Sequence, residues 1–146
     1  DLLGRKIMQQ QGAGMRRFLA MIQQFCEANA TKSELTEFVL PLAEVTKQWG
    51  ELTMEVGKKA MSNADEVGAA SYDYLYYSGY VVLAYWWARS VATANDSDHN
   101  EDFKTMKRET ARFYFARLLP RIHTHAAAMR SGAASTQALS ADLFDS

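Results

Sequence analysis

The sequence predicts an all-α protein whose helices form an antiparallel, up-down-up-down four-helix bundle. The chain of 146 residues contains only two prolines and eight glycines, and helix-forming residues dominate between them. Apolar residues recur at helical spacing in four long stretches, whereas period-two alternation is confined to short, ambiguous runs. Helices of this length, joined by turns of a few residues, must fold back on one another.

The first stretch is predicted to be interrupted. Residues 1–8 resemble a helix, but two glycines within Gln9–Gly14 are expected to stop it. The next helix is expected to end near Asn29, and its apolar face consists of Met15, Phe18, Leu19, Ile22, Phe25 and Cys26. We therefore expect a terminal helix with a linker over 1–14, the bundle over 15–132 and a small-residue tail over 133–146.

The second helix is predicted to start at Ser33, which is a favourable N-cap residue. Glu34 and Glu37 follow in the first turn, where their charges complement the helix dipole. Pro41 and Gly50 lie inside the apolar pattern of this helix, so a bend rather than a break is expected.

The third helix, expected from a turn at Asn63–Asp65 to about Ala94, is the most aromatic part of the chain. It carries Tyr72, Tyr74, Tyr76, Tyr77, Tyr80, Tyr85, Trp86 and Trp87. Because the helix is apolar on nearly every side, we expect it to lie at the centre and to be covered on most sides. A packed aromatic core is favoured over a ligand cage, although both remain open. The uncharged run over 74–88 is shorter than the roughly 20 residues of a membrane span and is rich in hydroxyls, so no membrane insertion is expected.

The fourth helix is predicted to begin near Glu101, after a polar loop over 95–100 that offers several N-caps. Pro120 removes one backbone donor and is expected to kink this helix, which should end at Ser131–Gly132. Its apolar face carries Phe103, Met106, Phe113, Tyr114, Leu118 and Ile122.

Charge and motifs exclude several functions. Sixteen Lys and Arg balance seventeen Asp and Glu, which gives no electrostatic reason to expect nucleic acid or an anionic membrane surface. A di-iron bundle needs Glu-x-x-His pairs, and none occurs. His123 and His125 should point to different helix faces. No nucleophile elbow and no glycine-rich phosphate loop is present either. We therefore expect no catalytic, cofactor-binding or metal-binding residue in these 146 residues.

Asp73 is the polar residue that stands out, because it lies within the aromatic run and must be paired or reach solvent. Folding back near residue 98 should place it level with Arg121 and His123, and a tyrosine hydroxyl is an alternative partner. The residues expected to form the structural core around it are Asp73, Tyr74, Tyr77, Gly79, Tyr80, Trp86, Trp87 and Tyr114.

Four segments resemble one protein family. They read DLLGRKI over 1–7, MEVGKKA over 54–60, DYLYYSGYVVLAYWW over 73–87 and KRETARFYFARLLP over 107–120. These segments are similar to the C-terminal helical domain of long bacterial acyl-CoA dehydrogenases, such as those acting on 3-methylmercaptopropionyl-CoA. The resemblance covers nearly the whole chain, and it implies that Gly79 lets a neighbouring helix approach the aromatic one.

The resemblance implies a fragment of a larger flavoenzyme. A cytoplasmic location is expected separately, because no signal peptide is visible in the sequence. In that family a glutamate removes the α-proton of an acyl-CoA, and FAD accepts the β-hydride and passes electrons to an electron-transfer flavoprotein. The segments that carry these groups do not correspond to any part of this chain. The expected partners are the catalytic domain of the same enzyme and a second copy in a homodimer. An independent binding module that uses its aromatic cluster remains the alternative.

The dimer is expected to form through apolar residues of the first helix or of the tail. These candidates are Met15, Phe18, Ile22, Phe25, Leu139, Leu143 and Phe144.

Overall fold

The computed structural model describes residues 2–62 and 65–131, and these residues form helices joined by short turns. The α-helices are α1 (Leu2–Asn29), α2 (Thr36–Ser62), α3 (Asp65–Asn95), α4 (Glu101–Phe113) and α5 (Ile122–Ser131). Helices α4 and α5, with the irregular helical segment between them, make one rod, so the described chain contains four rods and no strand. The predicted all-α four-helix bundle is confirmed.

Helix α1 corrects the first sequence expectation. It runs without a break from Leu2 to Asn29, through Gly12 and Gly14, where a linker was expected. A glycine costs about 1 kcal/mol of helix propensity relative to alanine, but it keeps its backbone N–H and does not block the helical ladder. Packing of the following turns, in which Ile22 is fully buried, supports the helix. The end at Asn29 is as predicted.

The start of α2 also differs from the sequence expectation. Ser33 does not cap a helix; it begins a short 3₁₀ turn, Ser33–Leu35, and α2 follows at Thr36. Ser33 is displaced from the cap position because the chain tightens into this turn first, and Leu35 is thereby buried. Glu37 lies in the first turn of α2 as predicted, and α2 passes Pro41 without a break.

The fourth rod begins as predicted but is interrupted more widely. The Asn100 side chain accepts a hydrogen bond from the backbone N–H of Phe103, which makes it the N-cap of α4. Regular α-helix then stops at Phe113 and gives way to a π-helical segment, Tyr114–Leu118, and a 3₁₀ turn, Leu119–Arg121. Pro120, in that turn, lacks a backbone donor, so the irregularity lies where the sequence predicts a kink.

Contacts between side chains give the directions of the rods. Trp49 bonds to Ser78 and Thr53 bonds to Tyr74, so α2 and α3 run antiparallel. Helix α1 is joined to α2 by a short turn and is also antiparallel to it. Helices α1 and α3 therefore run parallel to each other, and they are in contact where the Phe25 ring packs on the Tyr85 ring.

The fourth rod runs parallel to α2 and antiparallel to α3. Arg112 pairs with Glu37, and Arg130 pairs with Glu55. Both pairs are separated by 75 residues, which is the constant offset of two parallel helices.

Helices α2 and α3 form the middle of the bundle, with α1 on one side and the fourth rod on the other. Each middle helix therefore touches three neighbours and keeps one outward side. The core between the rods is continuous, and its largest fully buried side chains are Ile22, Leu35, Phe38, Leu42, Leu52, Tyr77, Val81, Val91 and Ile122. In the described ranges, no helix is long and apolar enough to cross a membrane.

Candidate functional site: the aromatic helix α3

Hydrogen bonds of aromatic and hydroxyl side chains join α3 to α2. The Trp49 indole N–H donates to the Ser78 hydroxyl over 2.9 Å, and the Thr53 hydroxyl donates to the Tyr74 hydroxyl over 3.2 Å. The fully buried Tyr77 donates its hydroxyl to the Val45 carbonyl over 3.2 Å. These bonds satisfy the polar atoms of large aromatic side chains in the bundle. Such bonds are expected in a packed aromatic core, which the sequence favours over a ligand cage.

A second set of contacts fastens α3 to the fourth rod. The Tyr114 hydroxyl donates to the Tyr80 carbonyl over 2.6 Å. Burial disfavours the ionised phenolate, so it raises the pKa of Tyr114, and it raises the pKa of Tyr77 to about 12. Both hydroxyls therefore stay protonated near neutral pH and act as donors within the bundle.

Asp73 pairs with His125, and the distance from its Oδ1 to the imidazole Nδ1 is 2.8 Å. The side chains are 19% and 16% exposed, respectively, so the pair lies mostly inside the bundle. The Tyr76 ring stacks on the imidazole, with ring centres 5.2 Å apart. Tyr72 and Tyr80 lie 6.4 Å and 6.0 Å from it.

Asp73 forms the half-buried hydrogen bond expected in the region of residues 121–123, but its partner is His125 and not Arg121 or His123, both of which are exposed. Tyr80 contacts Tyr114, and a regular antiparallel helix would place Asp73, seven residues earlier, opposite residue 121. The observed partner lies eleven residues after Tyr114. The four additional residues correspond to about one α-helical turn, so His125 lies on the same side of the rod as residue 121.

The Asp73–His125 pair resembles the orienting half of a catalytic triad, but its surroundings favour a structural role. Chemistry of that kind needs a serine or cysteine beside the second imidazole nitrogen, whereas three tyrosine rings pack around this imidazole. The described residues contain no group of three His, Cys, Asp or Glu side chains that could hold a metal ion. We interpret the pair as a polar link between α3 and α5.

Three neighbouring rods cover most sides of α3, as expected, but the side that faces away from them is uncovered. Five large side chains on it are exposed: Tyr72 by 62%, Leu75 by 69%, Tyr76 by 45%, Leu83 by 49% and Trp86 by 51%. We call this surface, together with Gly79 in its middle, the outer face of α3. Three neighbouring rods cannot surround a helix completely, so one side of a middle helix remains open.

Two residues expected in the core lie on this outer face. Trp86 is half exposed, while its neighbour Trp87 is partly buried against the core. A Cβ atom added to Gly79 would meet nothing within 4 Å. Gly79 therefore does not make room for another helix of the described chain, and any close approach at this position would have to come from outside it.

The outer face of α3 differs in chemistry from the corresponding outward side of α2. On α2 the exposed apolar residues Leu40 and Met54 alternate with the exposed charges Lys47, Glu51 and Lys58. On α3 the face from Tyr72 to Trp86 carries no charge, because Asp73 turns inward to His125. A contiguous apolar strip without charges is typical of a surface that contacts another protein.

A groove of about 370 Å³ adjoins the end of the outer face, between the end of α3 and the start of α4. The Arg89 guanidinium lies 5.5 Å from the centre of the Trp86 ring. The Lys107 ammonium lies 5.5 Å from the centre of the Phe103 ring. Both cations thus have aromatic partners, and the groove combines positive charge with exposed ring surface.

The sequence anticipated the apolar first helix as the surface for self-association, and the structure corrects this as well. Ile22 is fully buried, and Met15 and Phe25 are partly buried against the core. Among residues 10 and 12–29, the part of α1 whose side chains the structure describes, the large apolar side chains that are exposed are Phe18 and Met21. The tail residues Leu139, Leu143 and Phe144 lie outside the described residues.

Comparison with known proteins identifies one matching family. Residues 18–140 match the family described as acetyl-CoA dehydrogenase C-terminal like. No curated protein matches the chain. The match covers most of the sequence and includes the aromatic helix and the fourth rod, and the chain therefore belongs to the acetyl-CoA dehydrogenase C-terminal-like family.

Proposed function

We propose that this chain is the non-catalytic C-terminal structural and interaction domain of an FAD-dependent acyl-CoA dehydrogenase. The observation that carries the proposal is the family match over residues 18–140. The hydrogen-bonded aromatic core and the uncovered outer face of α3 support a docking role, because they combine a packed scaffold with an apolar contact surface. The resemblance further supports an enzyme of the 3-methylmercaptopropionyl-CoA type.

The reaction of such an enzyme is the α,β-desaturation of an acyl-CoA thioester, with an electron-transfer flavoprotein as the electron acceptor. The residues described here do not fit FAD. Gly12 and Gly14 lie inside helix α1 and not in a phosphate-binding loop, and aromatic side chains fill the interior of the bundle. We therefore assign no step of the reaction to this chain and place flavin and base in the catalytic part of the enzyme.

The junction with the catalytic part is proposed to lie within residues 1–14, as the resemblance implies. Because α1 is continuous through this segment, the junction would be a helical extension rather than a loose linker. Such an extension transmits the orientation of the catalytic part's last helix directly to the bundle.

The test uses the purified 146-residue chain and the longer enzyme. The chain alone should show no flavin absorbance and no turnover of an acyl-CoA with an artificial electron acceptor. The longer enzyme should retain flavin and turnover, and its isolated catalytic part should bind the 146-residue chain in a titration. A flavin-containing chain that turns over acyl-CoA would overturn the proposal.

A second candidate function, ligand binding by an independent module, is favoured by the groove beside Arg89 and Lys107. The positive charges of Arg89 and Lys107, together with the half-exposed Trp86 ring and the partly buried Phe103 ring, suit a small aromatic anion. Titration with a nucleoside monophosphate, followed by tryptophan fluorescence, tests this candidate. Saturable binding that is lost in Arg89→Ala and Lys107→Ala would favour it over the docking role.

A further inference from the structure

The outer face of α3 has a pattern that is symmetric about Gly79. Tyr72 and Trp86 lie seven residues before and after the glycine, and Leu75 and Leu83 lie four residues before and after it. Three residues away are Tyr76 and Val82, the latter half-buried at the edge of the face. All these positions share one side of the helix, because separations of three, four and seven residues return to the same side.

This symmetry matches the requirement of a two-fold helix pair. When two copies of a helix cross antiparallel about an axis through one residue, every residue before the axis faces the residue equally far behind it in the other copy. An axis at Gly79 would bring aromatic Tyr72 opposite aromatic Trp86, and Leu75 opposite Leu83. The strip is uncharged from Tyr72 to Trp86, so the pairing brings no like charges together.

Gly79 itself is suited to the crossing point. Glycine in the middle of an exposed helix is less favourable than alanine, and no neighbour in the described chain needs the space above it. Without a Cβ atom, two backbones can approach closely at this position. The glycine therefore gains a packing role only when another helix lies across α3.

We propose that the outer face of α3 is a homodimer interface in which the α3 helices of two copies cross antiparallel at Gly79. This inference rests on the interaction role proposed above but not on the flavoenzyme reaction. It also moves the expected dimer contact from the first helix to the third.

The exposed area of the outer face of α3 alone indicates a weak dimer, to which exposed residues of α1 can add contact area. The five exposed side chains offer on the order of 500 Å² per copy, given roughly 150–250 Å² for each fully buried aromatic ring. A standard interface buries roughly 800 Å² per partner. Phe18 and Met21 can extend the surface, because α1 runs parallel to α3 and its Phe25 already packs on Tyr85.

The register is tested by disulfide formation in the full 146-residue chain with Cys26 replaced by serine. Leu75→Cys and Leu83→Cys proteins should form a mixed disulfide dimer when combined under air. Each alone should cross-link at least tenfold more slowly, because eight residues of helix separate like positions by about 12 Å along the axis. Thr93→Cys, exposed on the same helix but far from Gly79, is the matched control and should not cross-link with itself.

The interface is tested by sedimentation velocity over a concentration series. Leu83→Arg should raise the dissociation constant at least tenfold, since the two-fold axis introduces the charge twice. Leu40→Arg, at an exposed leucine of α2, is the control and should leave it unchanged. Circular dichroism verifies that both variants are folded.

Three results would overturn the inference. They are a chain that stays monomeric at all concentrations, association that Leu83→Arg leaves intact, and equal cross-linking of the Thr93→Cys control. If the chain is monomeric but binds the isolated catalytic part, and Leu83→Arg abolishes that binding, the outer face serves the catalytic part instead. That outcome would refute the dimer and leave the proposed function standing.

Discussion

Removal of the Tyr77 hydroxyl should change the stability of the bundle in opposite directions at neutral and at high pH. The ring is fully buried, and its hydroxyl donates to the Val45 carbonyl. Tyr77→Phe keeps the ring and removes this bond together with a longer contact, 3.4 Å, to the Gln48 side-chain oxygen. The loss costs about 0.5–1.5 kcal/mol when the protein is near neutral pH. In that range the wild type is therefore the more stable protein.

At high pH the order should reverse. Burial raises the pKa of Tyr77 to about 12 in the folded chain, compared with about 10 in the unfolded chain. Above pH 10 the unfolded chain releases this proton while the folded chain still holds it, so stability falls as the pH rises towards 12. The loss from this group amounts to about 1.4 kcal/mol at pH 11 and about 2.3 kcal/mol at pH 12. Phenylalanine has no such proton and escapes this loss.

The assay is urea unfolding of wild type and Tyr77→Phe at several pH values, and the quantity compared is the difference in free energy of unfolding. Other groups that titrate at high pH, including the buried Tyr114, are common to both proteins and cancel in this difference. The difference should favour wild type at pH 8 and cross zero near pH 11. A difference that stays constant from pH 8 to pH 12 would refute the buried, hydrogen-bonded position of Tyr77.

Two further predictions concern α3 and the side chains of α2 and α5 that contact it. Trp49→Ala should cost about 3–5 kcal/mol because the ring is 3% exposed, whereas Trp86→Ala should cost less than about 1 kcal/mol; equal losses in thermal unfolding would contradict this assignment. Asp73→Asn and His125→Ala, combined in a double-mutant cycle, should show a coupling of about 1–2 kcal/mol across the mostly buried pair. A coupling near zero would mean that the pair does not join α3 to α5.

The sequence predicts the rods of this bundle well because each rod has a long, consistent apolar pattern. The end of α1 at Asn29 and the start of α4 after Asn100 follow from local signals that tertiary packing does not override. The break expected at Gly12 and Gly14 is wrong because a glycine only weakens a helix, and the flanking turns hold this one together.

The site was less predictable because it depends on non-local geometry. The fold-back near residue 98 places Asp73 level with the region of residues 121–125, but the sequence does not tell which of the polar side chains there, Arg121, His123 or His125, faces α3. Composition likewise shows that α3 is apolar on every side, but not which side the other rods leave uncovered. The symmetric spacing around Gly79 was the available signal for that side.

Helix α3 has one side fixed in the core and an opposite side exposed, and the proposed docking surface lies on the exposed side. Hydroxyl-radical footprinting of the dilute chain, followed by mass spectrometry, measures the exposure of individual side chains and tests this arrangement directly. Leu75, Leu83 and Trp86 should be oxidised rapidly, while Trp49 and Tyr77 are protected at least tenfold relative to unfolded chain. Equal oxidation of Trp49 and Trp86, or protection of Leu75 and Leu83 in the monomer, would contradict it.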